Sequence, residues 1–109
     1  MNELLIKTQE MNDLLDRYES LLTQRQLDVM NLYFKEDLSY QEIADDLGIT
    51  KSAIYDIIRR VTLNLGEYEE KLQLVKKYYQ LQDLIETLKS LNIVEVNKLI
   101  KVYEEETHG

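Results

Sequence analysis

Residues Ser39 to Arg60 read SYQEIADDLGITKSAIYDIIRR. Ser39-Tyr40-Gln41-Glu42 has the form of a capping box, in which a hydroxyl accepts the amide three residues on while the acidic side chain reaches back. This spacing predicts a short helix over 40–47. Gly48 stands where a tight turn needs positive φ, and Thr50 can cap a second helix running from Lys51 toward Leu65. Two helices that cross steeply over a short turn need a small residue where they touch, a glycine in the turn and branched apolar residues behind both. Ala44, Gly48 and Ile49 meet the first demands, and Ile43, Leu47, Ile54 and Ile58 fill the space behind. The segment reads as a helix-turn-helix. An ordinary helical hairpin would not need this combination.

Working outward, Thr23-Gln24-Arg25-Gln26 is a second capping box, opening a helix expected to bury Leu27, Met30, Tyr33 and Phe34 and to stop near Lys35-Glu36-Asp37. Ahead of it, Leu4, Leu5, Met11, Leu14, Leu15, Tyr18, Leu21 and Leu22 fall at three-and-four spacing, the stripe of a first helix. Beyond the motif, Gly66 is expected to loosen or end the fourth helix. Tyr68, Leu72, Val75 and Tyr79, then Tyr78, Leu81, Ile85 and Leu88, predict a fifth helix of more than twenty residues. Asn92-Ile93-Val94-Glu95 is read as the cap of a sixth, buried through Val96, Leu99, Ile100 and Tyr103.

Composition agrees with this reading. The chain has 109 residues, no proline and three glycines, which suits one all-α domain: a helix-turn-helix core over 21–65 and a helical extension over 67–106. With no cysteine and one histidine, His108, neither a metal site nor a cofactor is expected, and no catalytic constellation can be assembled. The N-terminus lacks a basic leader and no apolar run approaches the roughly 20 residues that span a bilayer, so no membrane partner is expected and the cytoplasm is the default location.

The run Leu21 to Val61, LLTQRQLDVMNLYFKEDLSYQEIADDLGITKSAIYDIIRRV, is similar to the promoter-reading fourth region of bacterial sigma factors. Nearly the full length resembles the YlxM-type family of small bacterial helix-turn-helix proteins, through MNDLLDRYESLLT, IADDLGITKSAIYDIIRR and the tail beginning EYEEKLQLVKKYYQ. The resemblance implies a sigma-region-four-like fold and a regulatory role linked with the signal recognition particle pathway. It supplies no activity.

On the fourth helix, Ile54, Ile57, Ile58, Val61 and Leu65 share one side and must face the core. The opposite side holds Ser52, Asp56 and Arg59 at its centre, with Tyr55, Arg60 and Leu63 nearby, and these are the candidate nucleic-acid readers. Arg59 can fork onto guanine O6 and N7, Ser52 can touch a base or phosphate, and Lys51, Arg60 and Arg25 can hold the backbone. Asp56 fits this badly, and its spacing from Arg59 and Arg60 invites internal ion pairs.

The chain carries a formal net charge of -8. Even Thr23 to Gly66 has five basic and seven acidic residues. Charges beyond the Debye length of about 8 Å are largely screened, so the local face decides. Two readings stay open: DNA binding by two linked copies, or a module that meets a protein or ribonucleoprotein, for which Tyr55 beside Arg59 is a suitable anchor. Of the tyrosines, Tyr18, Tyr33, Tyr68, Tyr79 and Tyr103 are expected in the core. The broad apolar stripes of the first and fifth helices predict a homodimer with paired fifth helices.

Overall fold

A computed structural model describes the backbone of residues 3–108 and the side chains of residues 7–107. Leu4 and Leu5 of the expected first stripe, and the imidazole of His108, lie outside those side chains. Among the described residues the protein is all-α, with six α-helices and no strand: α1 (Glu3–Tyr18), α2 (Gln24–Phe34), α3 (Tyr40–Leu47), α4 (Lys51–Leu72), α5 (Leu74–Ser90) and α6 (Val94–His108), with one 3-10 turn (Glu19–Leu21) after α1. The chain divides into two compact units, Met1–Val75 and Lys76–Gly109.

Both capping boxes form. The Thr23 hydroxyl accepts from the Gln26 amide at 3.2 Å and Gln26 Oε1 accepts from the Thr23 amide at 3.0 Å. At α3, the Ser39 hydroxyl accepts from the Glu42 amide at 3.1 Å and Glu42 Oε1 accepts from the Ser39 amide at 3.0 Å. The Ser39 backbone amide first, and the Ser39 side chain second, favour the ionised form and hold the Glu42 carboxyl below its usual range.

The core of the first unit joins Met11, Leu15 and Tyr18 of α1, Val29 and Met30 of α2, Ile43 and Ala44 of α3, and Ile54, Ile58, Val61 and Leu65 of α4. Leu27, Tyr33 and Phe34 are only half-buried, and Val29 takes the deep position of α2 instead. Leu21 is also 52% exposed, because the 3-10 turn carries it off the stripe of α1.

The fourth helix does not end at Gly66. It runs on to Leu72 and closes at Gln73, whose left-handed φ of 55° lets its amide bond to Glu69 O at 2.9 Å. An internal glycine costs about 1 kcal/mol relative to alanine, too little to stop a helix anchored by buried Leu65 on one side and by Glu69 on the other. The fifth helix therefore starts at Leu74, later than its apolar pattern suggests.

A side-chain network takes up the free amides of that start. The Tyr18 phenol, fully buried at the end of α1, donates to Glu69 Oε1 at 2.6 Å and accepts from the Leu74 amide at 3.0 Å. Glu69 Oε1 also accepts from the Val75 amide at 3.0 Å. Burial first, then the bond to Glu69, pushes the Tyr18 phenol above its ordinary value.

Among its described residues, the second unit, the rest of α5 and all of α6, buries only Ile85 and Ile100. Lys89 and Glu104 pair across it at 3.4 Å, a partly exposed bridge worth at most about 1 kcal/mol. Asn92 does not cap α6. It takes a left-handed φ of 55° between the helices, and α6 begins at Val94. Of the positions expected to be buried in α6, Val96 is half-buried and Leu99 is 72% exposed, since two helices cannot enclose a stripe this wide. Tyr79 and Tyr103 are likewise exposed. No helix among the described residues is long and apolar enough to cross a membrane.

Candidate nucleic-acid interface

The turn between α3 and α4 sets the site. Gly48 adopts φ 69°, ψ 32°, and its amide and that of Ile49 both reach Ala44 O, at 2.9 and 3.2 Å. A side chain at Gly48 would meet nothing within 4 Å, so the left-handed backbone, not crowding, is what demands glycine there. Ala44 is 3% exposed, with Ile54 and Ile58 among the same core. Thr50 then starts α4 cleanly, its hydroxyl accepting from the Ala53 amide at 3.1 Å.

With Ile54, Ile58, Val61 and Leu65 turned inward, Lys51, Ser52, Tyr55, Asp56, Arg59 and Arg60 are all exposed. At 100° per residue, Lys51, Tyr55, Arg59 and Ser52 fall within an arc of about 100°, with Asp56 and Arg60 further round the same side. Arg25 is exposed too, in the first turn of α2. Neither arginine of α4 is ion-paired to Asp56, whereas Lys35 pairs with Asp16 at 3.0 Å and Lys89 with Glu104. The pairs expected from the i+3 and i+4 spacing do not form, which agrees with the few tenths of a kcal/mol that such surface pairs are worth. The face thus presents three cations and one carboxylate, locally positive on a chain that is negative overall.

Beside it runs an aromatic series that the sequence reading missed. Phe34 and Tyr33 meet edge to face at 4.8 Å, Tyr33 and Tyr40 lie 5.0 Å apart, and Tyr40 meets Tyr55 at 6.0 Å. These rings join α2 and α3 to the exposed face of α4. Burial, and next its hydrogen bond with Tyr33, raises the Tyr40 phenol above its ordinary value. An open recess of about 520 Å³ lies against this series, lined by Tyr33, Ser39, Tyr40, Gln41 and Lys51. Tyr40 sits at the first position of a capped helix, outside any apolar stripe. Its return toward Tyr55 needs the turn geometry, so local spacing could not reveal it.

A larger recess of about 660 Å³ shares Tyr33, Ser39 and Tyr40 with the recess beside the aromatic series, is floored by Met11, Leu14, Phe34 and Ile58, and reaches Lys7, Glu10, Asp37 and Glu42. Its floor belongs to the packing of the core. No group of three His, Cys, Asp or Glu among the described residues could hold a metal.

Comparison with known proteins places this geometry in a family. Residues 5–106 match the family model described as "Putative helix-turn-helix protein, YlxM / p13 like". Similar proteins include UPF0122 proteins of Bacillus cereus (strain AH187), Bacillus anthracis (strain A0248) and Bacillus thuringiensis subsp. konkukian (strain 97-27). Each is 48% identical over 88 residues, covering 81% of this chain and 80% of the relative. Since the family match spans both units and includes the α3–turn–α4 segment, the chain belongs to the YlxM / p13-like helix-turn-helix family.

Proposed function

We propose that this protein is a regulatory helix-turn-helix protein that docks on DNA through the outward side of α4. Arg59 and Ser52 take the base edges, Lys51, Arg60 and Arg25 hold phosphates, and Tyr55 packs against the backbone or a base. The observation that carries this reading is the exposure of Arg59 and Arg60 free of Asp56, on the side of α4 opposite its buried residues. Three or four phosphate contacts per protomer give a weak electrostatic contribution, so two linked copies act together as a homodimer, with a salt slope of about -5 to -7. The setting is the cytoplasm. Resemblance to YlxM-type proteins points to the signal recognition particle pathway and its components as the system regulated.

A second reading, a scaffold that contacts a protein or ribonucleoprotein without reading bases, is favoured by the acidic balance of Thr23 to Gly66 and by Tyr55 at 51% exposure. One experiment separates the two. Duplexes selected from genomic fragments are tested for retardation at 50 and 200 mM salt, with wild type and with Arg59→Ala/Arg60→Ala. The DNA reading expects a complex that weakens about a thousandfold or more across that salt range and disappears in the variant. A complex unchanged in the variant rejects the assigned face, and a wild type that retards no duplex favours the scaffold.

A further inference from the structure

The second unit is incomplete as it stands. Two helices enclose only Ile85 and Ile100, and below about 40 residues a chain segment seldom builds a sufficient core without a metal, a disulfide or oligomerisation. Cysteine is absent from the chain, and no metal-holding group occurs among the described residues.

The apolar surface left over is ordered. Leu84 and Leu91 are 53% and 55% exposed on α5, and Leu99 and Val102 are 72% and 52% exposed on α6. Leu81, Leu84, Leu88, Leu99 and Tyr103 line one groove of about 190 Å³ whose floor is Ile85 and Ile100. Leu81, Leu84, Leu88 and Leu91 repeat at three-and-four spacing, the seam pattern of helices that pack knobs into holes. Between these positions the groove face carries no charged side chain, whereas Glu95 and Glu106 stand toward the ends of α6. A charge-depleted centre with a polar rim is the anatomy of a protein interface, and offers nothing to a phosphate backbone.

We infer that the α5–α6 face is the dimerisation surface of this protein, and that its occupant is the same face of a second copy, closing a four-helix bundle about a two-fold axis. Three observations choose a second copy over another partner. The unit holds five basic and six acidic residues, so two identical faces meet without strong repulsion. The exposed parts of these side chains leave roughly 500–600 Å² of apolar area per protomer to bury, which with the polar rim around them reaches the low end of a standard interface. And an isologous bundle needs the same stripe on both chains, which a repeated leucine seam supplies. The inference deepens the paired-copy reading given above by naming the surface and its register-bearing residues, and it moves the contact from paired fifth helices to both helices of the unit.

Sedimentation equilibrium of the full chain from 1 to 100 µM tests it. The expected mass is twice the 13.0 kDa of one chain. Leu84→Asp/Leu99→Asp should return the mass to one chain. Should that variant lose its helical signal, the milder Leu99→Gln should weaken association at least tenfold with helicity retained. A wild type monomeric at 100 µM overturns the inference and the paired reading together. A dimer that keeps its association constant in Leu99→Gln or in the folded double variant overturns this surface alone, and monomers that instead bind phosphatidylcholine vesicles would assign the face to lipid. Loss of DNA retardation with dimerisation intact fails the DNA reading and leaves this one standing.

Discussion

The two units use the same residue types with opposite results. In the first, apolar side chains from four helices converge and eleven of them are buried, while in the second a comparable leucine stripe buries two isoleucines, half-buries Leu81 and Leu88 and leaves Leu84, Leu91 and Leu99 exposed. Amphipathic pattern says which side of a helix must be covered, but not whether the chain supplies the cover. Helix number decides: a stripe wider than about 100° needs more than one neighbour.

Four substitutions can break or sharpen that contrast. The largest effect is expected from Ile54→Ala, which removes a fully buried side chain of the first core and should lower the unfolding free energy by about 2–5 kcal/mol in urea titration. Leu99→Ala, at a position 72% exposed, should cost the isolated chain little, and its effect should grow with protein concentration. Equal losses from both, independent of concentration, would erase the distinction between the units.

Next comes Tyr18→Phe, expected to cost about 1–3 kcal/mol, because the Leu74 amide loses its acceptor and the Glu69 carboxylate loses one of its donors. Amide exchange at Leu74 should accelerate. The pH dependence follows from the raised phenol: the protonated form is favoured by folding, so the contribution is complete below the unfolded value near 10 and is lost as pH rises through the higher folded value. Stability unchanged by Tyr18→Phe up to pH 11 would remove the network as a stabilising element.

The smallest effect has the opposite sign. A side chain at Gly66 would meet nothing within 4 Å and the residue is helical, so Gly66→Ala should raise stability by about 0.5–1 kcal/mol in thermal unfolding. A loss would mean that α4 is interrupted there in solution, as the sequence pattern suggests.

Local chemistry was the legible part of this protein. Ser39, Thr23, Gly48 and Thr50 act through bonds that span three or four residues, so spacing alone predicts them, and the buried side of α4 follows from the 3.6-residue period. What escaped depends on distant partners. Gly66 reads as a break because its cost is visible and the anchoring Glu69 is not. Gln73 gives no turn signal, since Tyr18, remote in the chain, satisfies the amide that follows. The candidate site divides the same way: Lys51, Ser52, Tyr55, Arg59 and Arg60 emerge from one helical wheel, whereas the recess at Tyr40 and Gln41 needs α2 and α3 in place.

The phenol of Tyr18 has a consequence for modularity. Because Leu15 and Tyr18 lie wholly inside the core that supports the motif, and Tyr18 also seals the backbone just past Gln73, a chimera made by transplanting only the two crossing helices would leave an open cavity and an unsated amide behind. The smallest portable piece runs from the first helix through Val75, so exchanges between relatives are better made at individual side chains on the outer face of α4 than by splicing segments.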